Sequence, residues 1–148
     1  DYREELEQKA RATGLGERII FTGHFQRQKL GVVYASADVF AFPSLTDTQG
    51  LVLHEAAGAG LPLVLCDAHV SEIFHSNSNG LLAENEPQDF AEKIMNILSD
   101  AKMIRSMGKK SKEYAAEHTE EKQIKDLEVL YTRSIKNHKK IQFAGGEW

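Results

Sequence analysis

Apolar and polar positions along this chain alternate between two rhythms. Residues 1–13 follow the 3.6-residue period of an amphipathic helix, halted at Gly14 and Gly16, where glycine accepts a left-handed cap. Residues 19–23, a β-branched and aromatic run ending in Thr22 and Gly23, then read as a strand. Residues 28–37 return to helical spacing, with Leu30, Val33, Tyr34 and Ala37 on one face. A buried-type strand is expected at 39–42, ended by Pro43 and Ser44, with a loop to about Gln49. Residues 50–60 form a nearly all-apolar helix, stopped by Gly60 and Pro62. The next strand is 63–66, with Asp67 at its end. A short helix around 71–74, a turn at 77–80 and a brief strand at 81–83 follow. From Pro87 onward the pattern is helical. Pro87 suits the first helical position, Asp100 caps a second helix, and Thr119 with Lys122 nearby opens a third. The tail from Phe143 to Trp148 carries no period.

Strands that alternate with helices, without hairpin turns, predict parallel strands joined by right-handed helical crossovers. The fold class is therefore α/β, a Rossmann-like parallel sheet flanked by helices with a helical carboxyl-terminal end. The 148 residues, 41% of them apolar, suffice for one domain with a real core. Eighteen Lys and Arg against 22 Asp and Glu give a net charge of -4, so no global basic field draws nucleic acid. The lone Cys66 excludes an intrachain disulfide and a cysteine-built zinc site; at the end of a buried-type strand it reads as packing. Six histidines show no ligand spacing, so no metal is expected. No apolar run approaches the ~20 residues of a spanning helix. Asp1 opens directly into a charged helical pattern, from which the chain is expected to be a cytoplasmic piece of a longer protein.

Parallel α/β sheets gather their chemistry at the carboxyl ends of strands, here the loops after Phe21, Phe42, Cys66 and Ala83. The second loop, Pro43-Ser44-Leu45-Thr46-Asp47-Thr48-Gln49-Gly50, feeds a helix in which Glu55 is the only formally charged residue. A carboxylate in so apolar a helix needs a hydrogen-bonding partner. A ligand hydroxyl can supply it, and so can an internal Arg or a backbone amide. Asp47, likewise, either meets a ligand or caps the helix. Glu55 lies about 7 Å along the axis from Gly50, a span that a nucleotide sugar bridges. The amides around Gln49, Gly50 and Leu51 at the helix start suit a diphosphate between the two acids.

The stretch PSLTDTQGLVLHEAAGAGLPLVLCD resembles the signature of the retaining glycosyltransferases of family 4, the glycosyl transferases group 1. That signature holds a proline-serine, an acid, a glycine-containing turn and a second acid after seven residues, then small residues, Gly and Pro. The flanking DYREELEQKARATGLGERIIFTGHF, YASADVFAFPS and SEIFHSNSNGLLAENEPQDFAEKI are similar to the same family, so the likeness covers roughly residues 1 to 135. It implies the truncated carboxyl-terminal, donor-binding domain of a two-domain GT-B enzyme: one partial nucleotide-sugar-binding domain over 1–148, with its signature at 43–67 and helices at 87–140. It also implies transfer of a hexose to a polysaccharide or glycolipid acceptor. A nucleotide-diphospho-sugar, UDP by default, is then a substrate, and no further cofactor is needed.

Carried over by position, Asp47 and Glu55 become the catalytic-site acids, Glu55 on the ribose hydroxyls and Asp47 on the sugar. Thr48, Gln49, Gly50 and Leu51 become the amide cradle, and His24 and Phe25 border the base. The family more often has Glu where Asp47 stands, one methylene longer. The family's donor domain also begins with two further strands and a basic pair that neutralises the diphosphate, and an acceptor-binding amino-terminal domain precedes it; this sequence holds neither. The resemblance therefore implies that the chain alone does not turn over. It further implies that the isolated chain is unstable or pairs its strands abnormally, since the missing strands belong between 19–21 and 39–42. The alternative is a non-catalytic glycosyltransferase-like binding module or a truncated gene product. His54, beside Glu55 but on another face, reads as a packing residue. Arg133, Lys136, Lys139 and Lys140 read as a solvated helix end or, alternatively, as a patch for anionic lipid at the inner face of a membrane.

Overall fold

The computed structural model describes residues 1–47, 50–70 and 73–144, of which 138–144 as backbone only. Thr48 and Gln49, the first half of the expected short helix (Ser71 and Glu72), the side chains of Lys139 and Lys140, and the tail from Gly145 lie outside the described residues. The chain divides into two compact units, Asp1–Val32 and Val33–Trp148.

In the first unit, α1 (Tyr2–Ala12) starts at Asp1, whose carboxylate accepts from Arg3 N–H at 3.0 Å. Its exposed face is laced by i,i+4 ion pairs, Arg3–Glu7 at 2.8 Å and Lys9–Glu5 at 2.7 Å. The helix ends as expected: Gly14 sits at φ 72, and Gly16–Arg18 form a 3-10 turn. The strand expected at 19–23 does not form. Ile19 is extended (φ -105, ψ 113), yet no described strand pairs with this segment, Ile20 is 81% exposed, and Phe21 C=O accepts instead from Arg3 Nη2 at 3.0 Å. Strand propensity without a partner ladder leaves an extended loop.

Helix α2 (Arg27–Ala35) runs into the second unit, which holds a three-stranded parallel sheet in the order β1-β2-β3. Strand β1 (Phe40–Phe42) pairs with β2 (Leu63–Leu65) from Phe40 opposite Leu63 to Phe42 opposite Leu65. Strand β3 (Gly80–Leu82) pairs with β2 from Gly80 to Leu82. Central β2 is wholly buried, because side chains alternate across the sheet and both faces are covered. Leu63 and Leu65 join Leu53, Ala56 and Ala57 of α3 (Leu51–Ala59), together with Ile73 and Phe74. Val64 turns the other way, toward Ile97 of α4 (Pro87–Leu98) and Met107 of α5 (Ala101–Glu117).

Polar groups in this core are answered. The buried Asn79 donates through Nδ2 to Ile73 C=O at 2.5 Å and accepts through Oδ1 from His75 N–H at 2.8 Å. Buried Ser111 of α5 donates to Leu61 C=O at 2.6 Å, just past the end of α3. At the same junction Gly108 lets α5 approach so closely that a Cβ there would lie 2.3 Å from Gly60 C=O. The carboxyl end of α3 is thus held by α5. The capping expectations hold farther along: Pro87 opens α4, Asp100 accepts from Lys102 and Met103 N–H, and Thr119 accepts from Lys122 N–H. The last helix, α6 (Glu120–Ala144), is exposed along its described side chains, Arg133 and Lys136 among them. No described helix is long and apolar enough to cross a membrane.

Candidate functional site

The site follows from how β1 hands the chain to α3. After Phe42 the chain leaves the sheet at its carboxyl edge, runs through Pro43 to Asp47, and re-enters helix at Leu51. The turn into the helix depends on Gly50, which is buried and left-handed at φ 58, ψ 32. A side chain in that conformation costs roughly 1–2 kcal/mol. Asp47 Oδ1 accepts from Gly50 N–H at 2.8 Å, so the first acid caps the turn and engages one of the amides expected in the cradle. Leu51, 64% exposed, is the first helical residue, and its N–H has no acceptor within its own helix. Thr48 and Gln49 lie outside the described residues.

Glu55 lies one turn into α3 and is half-buried. Its Oε2 accepts from the Tyr34 hydroxyl at 3.0 Å. Among the described residues this hydroxyl, and not an arginine or a backbone amide, is the donor to Glu55. The phenol gives the carboxylate a donor and brings no positive charge of its own. Burial first, then the hydrogen bond to Glu55 and its charge, push the Tyr34 phenol up to about 12. The ring is fixed in turn: Tyr34 meets Phe40 edge-on at 5.9 Å, and Phe40 stacks on Phe42 at 6.0 Å.

Tyr34 escaped the sequence reading as a site residue. Its place on the apolar face of 28–37 was visible, and a tyrosine on a buried face needs a partner for its hydroxyl, but the partner is 21 positions away. His24 and Phe25, the expected neighbours of the base, belong to the first unit, the former exposed and the latter half-buried. His54 packs edge-on against His118 at 6.2 Å, in line with a packing role. Asp67 accepts from His69 N–H at 2.9 Å, a local turn. Burial, followed by the charges of Asp89 and Glu84, pushes the Cys66 thiol up and keeps it protonated, as fits an unreactive packing residue. Among the described residues no three His, Cys, Asp or Glu side chains group as metal ligands.

Comparison with known proteins agrees with this architecture. Residues 1–100 match the family model described as Glycosyl transferases group 1. The sulfoquinovosyl transferase SQD2 of Arabidopsis thaliana is 33% identical over 76% of this chain and 22% of its own length. Sucrose-phosphate synthase from Thermosynechococcus elongatus superposes with a TM-score of 0.81 at 27% identity, over 92% of this chain and 35% of that one. HepE of Anabaena, solved in complex with UDP, gives a TM-score of 0.79 at 26% identity, over 90% of this chain and 37% of that one. The chain thus spans between about a fifth and just over a third of the length of these three proteins. With residues 1–100 matched and a parallel α/β sheet in place, this chain belongs to the glycosyl transferases group 1 family.

Proposed function

We propose that the chain is the donor-binding part of a retaining glycosyltransferase that moves a hexose from a nucleotide-diphospho-sugar to a polysaccharide or glycolipid acceptor. Glu55 accepts from the ribose hydroxyls and Asp47 from hydroxyls of the sugar, while amides from Thr48 through Leu51 meet the diphosphate between them. The observation that carries this reading is the setting of Glu55: a half-buried ionisable side chain in an apolar helix, whose Oε2 accepts from the hydroxyl of Tyr34. UDP is the favoured nucleotide, supported by the UDP bound to the similar HepE. Asp47 also caps the turn at Gly50, so sugar recognition is coupled to the shape of that loop. Resemblance alone assigns His24 and Phe25 to the base and the whole chain to one partial domain. An acceptor domain elsewhere in the protein completes the enzyme.

In the protein carrying this chain, Glu55→Ala is expected to weaken UDP binding roughly 10- to 150-fold, the worth of one hydrogen bond to a charged group. Asp47→Ala is expected to lower transfer more than nucleotide affinity. Calorimetry with UDP and with nucleotide sugar reads both, and an unchanged affinity after Glu55→Ala defeats the assignment.

The enzyme acts in the cytoplasm, and the exposed Arg133 and Lys136 of α6 are a solvated helix end or, in the alternative reading, a patch for anionic headgroups at the inner face of a membrane. Flotation with vesicles that contain anionic lipid should exceed flotation with neutral ones and fall with salt; equal, salt-independent partitioning removes the membrane proposal.

A further inference from the structure

We propose that Tyr34 is a positioning residue for donor recognition: its hydroxyl, donating to Glu55 Oε2 at 3.0 Å, holds the carboxylate so that Oε1 meets the ribose hydroxyls. The inference rests on the assignment of Glu55 to the ribose made above. A glutamate has three side-chain torsions, and fixing them on ligand arrival costs binding free energy. Tyr34 fixes them beforehand. An ionised carboxylate offers about four acceptor sites on two oxygens, so one phenol leaves capacity for ribose donors. Because the phenol titrates only at about 12, it remains a donor wherever the enzyme works.

The anchoring of the tyrosine supports this role. Its edge contact with Phe40, and the stack of Phe40 on Phe42, tie it to β1, the strand that ends at the loop bearing Asp47. One aromatic row therefore connects the partner of the second acid with the strand that delivers the first. A tyrosine needed only to pack α2 on β1 would do so through its ring and would be indifferent to ligand hydroxyls.

The test is calorimetry on the protein carrying this chain, with UDP and with 2′,3′-dideoxy-UDP, for the wild type, Tyr34→Phe and Glu55→Ala. The wild type should prefer UDP. In Tyr34→Phe the affinity for UDP should fall about fivefold and that for the dideoxy nucleotide hardly at all, which shrinks the preference. In Glu55→Ala the preference should collapse. Equal weakening of both nucleotides by Tyr34→Phe, or no weakening, overturns the positioning role if Glu55→Ala still abolishes the preference. A preference that survives Glu55→Ala overturns the ribose assignment itself. Should Tyr34→Phe fold poorly, a fluorinated tyrosine at position 34 keeps ring and hydroxyl but ionises at lower pH. The preference for UDP must then decline as pH rises through that ionisation, and constancy across it overturns the proposal.

Discussion

Two glycines on either side of the same helix junction should respond to alanine with opposite signs. Gly108 lies inside α5, where replacing glycine by alanine gains about 1 kcal/mol of helix propensity. Against that gain, the new Cβ would stand 2.3 Å from Gly60 C=O, roughly 1 Å short of an ordinary C···O contact. The obstacle is backbone, so α5 itself has to move, at an overpacking cost of about 1–3 kcal/mol. The shift also strains the 2.6 Å bond from Ser111 to Leu61 C=O, one turn along α5, worth about 1 kcal/mol. Sterics win by about 1–3 kcal/mol. Gly58 is on the exposed side of α3, and a methyl placed there would meet nothing within 4 Å, so Gly58→Ala keeps only the propensity gain, up to about 1 kcal/mol. Amide hydrogen exchange of α3 and α5 reads these changes where they occur. Exchange should quicken about 5- to 150-fold in Gly108→Ala and slow by up to about fivefold in Gly58→Ala. If Gly108→Ala slows exchange as Gly58→Ala does, the close approach of α5 to the end of α3 is absent, and the account of how the Glu55 helix is anchored fails.

Asn79→Ala takes one hydrogen bond from Ile73 C=O and one from His75 N–H at a fully buried position, and should cost about 1–3 kcal/mol. Denaturant midpoints check it, and a loss below about 1 kcal/mol argues against the buried network. Tyr34 makes an alkaline prediction. Its folded pKa, about 12, lies above the ordinary tyrosine value of 10.0, so the unfolded chain releases this proton first as pH rises. The stability due to Tyr34 is fully present below pH 10.0 and is lost as pH approaches about 12. The difference between wild type and Tyr34→Phe should therefore narrow across that window in urea titrations; a constant difference contradicts the raised pKa.

Elements whose signals are local could be read from the sequence. Gly50 and Gly60, both left-handed in the structure, bound α3 where the glycines stand in the sequence, and Asp100 and Thr119 cap as their side chains dictate. The central strand announced itself as an unbroken apolar run because both of its faces are covered. Residues 19–23 failed the same reading because a strand is a pairing, and pairing partners are not written in the five residues themselves. Glu55 stood out as the one charge in an apolar helix and Asp47 as the acid before it, but the contact of Asp47 with Gly50 and that of Glu55 with Tyr34 did not. The first was one of two local options open to an acid before a helix, and the second joins residues 21 positions apart.

The chemistry of the partner, more than its proximity, gives Glu55 its functional meaning. A buried arginine would have answered the carboxylate completely, neutralising it and leaving a structural ion pair whose removal harms the fold. A phenol answers it only geometrically. One oxygen is held by a donor that brings no charge, and on the proposed reading the remaining acceptor capacity serves a ligand with hydroxyl donors. Asp47 acts at the helix start, where one carboxylate oxygen closes the Gly50 turn ahead of the first amides of α3, which have no acceptor within the helix. On the proposed reading, the same short span of chain offers a carboxylate at one end of the site and helix-start amides at the other. That is the pairing a sugar nucleotide requires, with hydroxyls to donate and a diphosphate to receive.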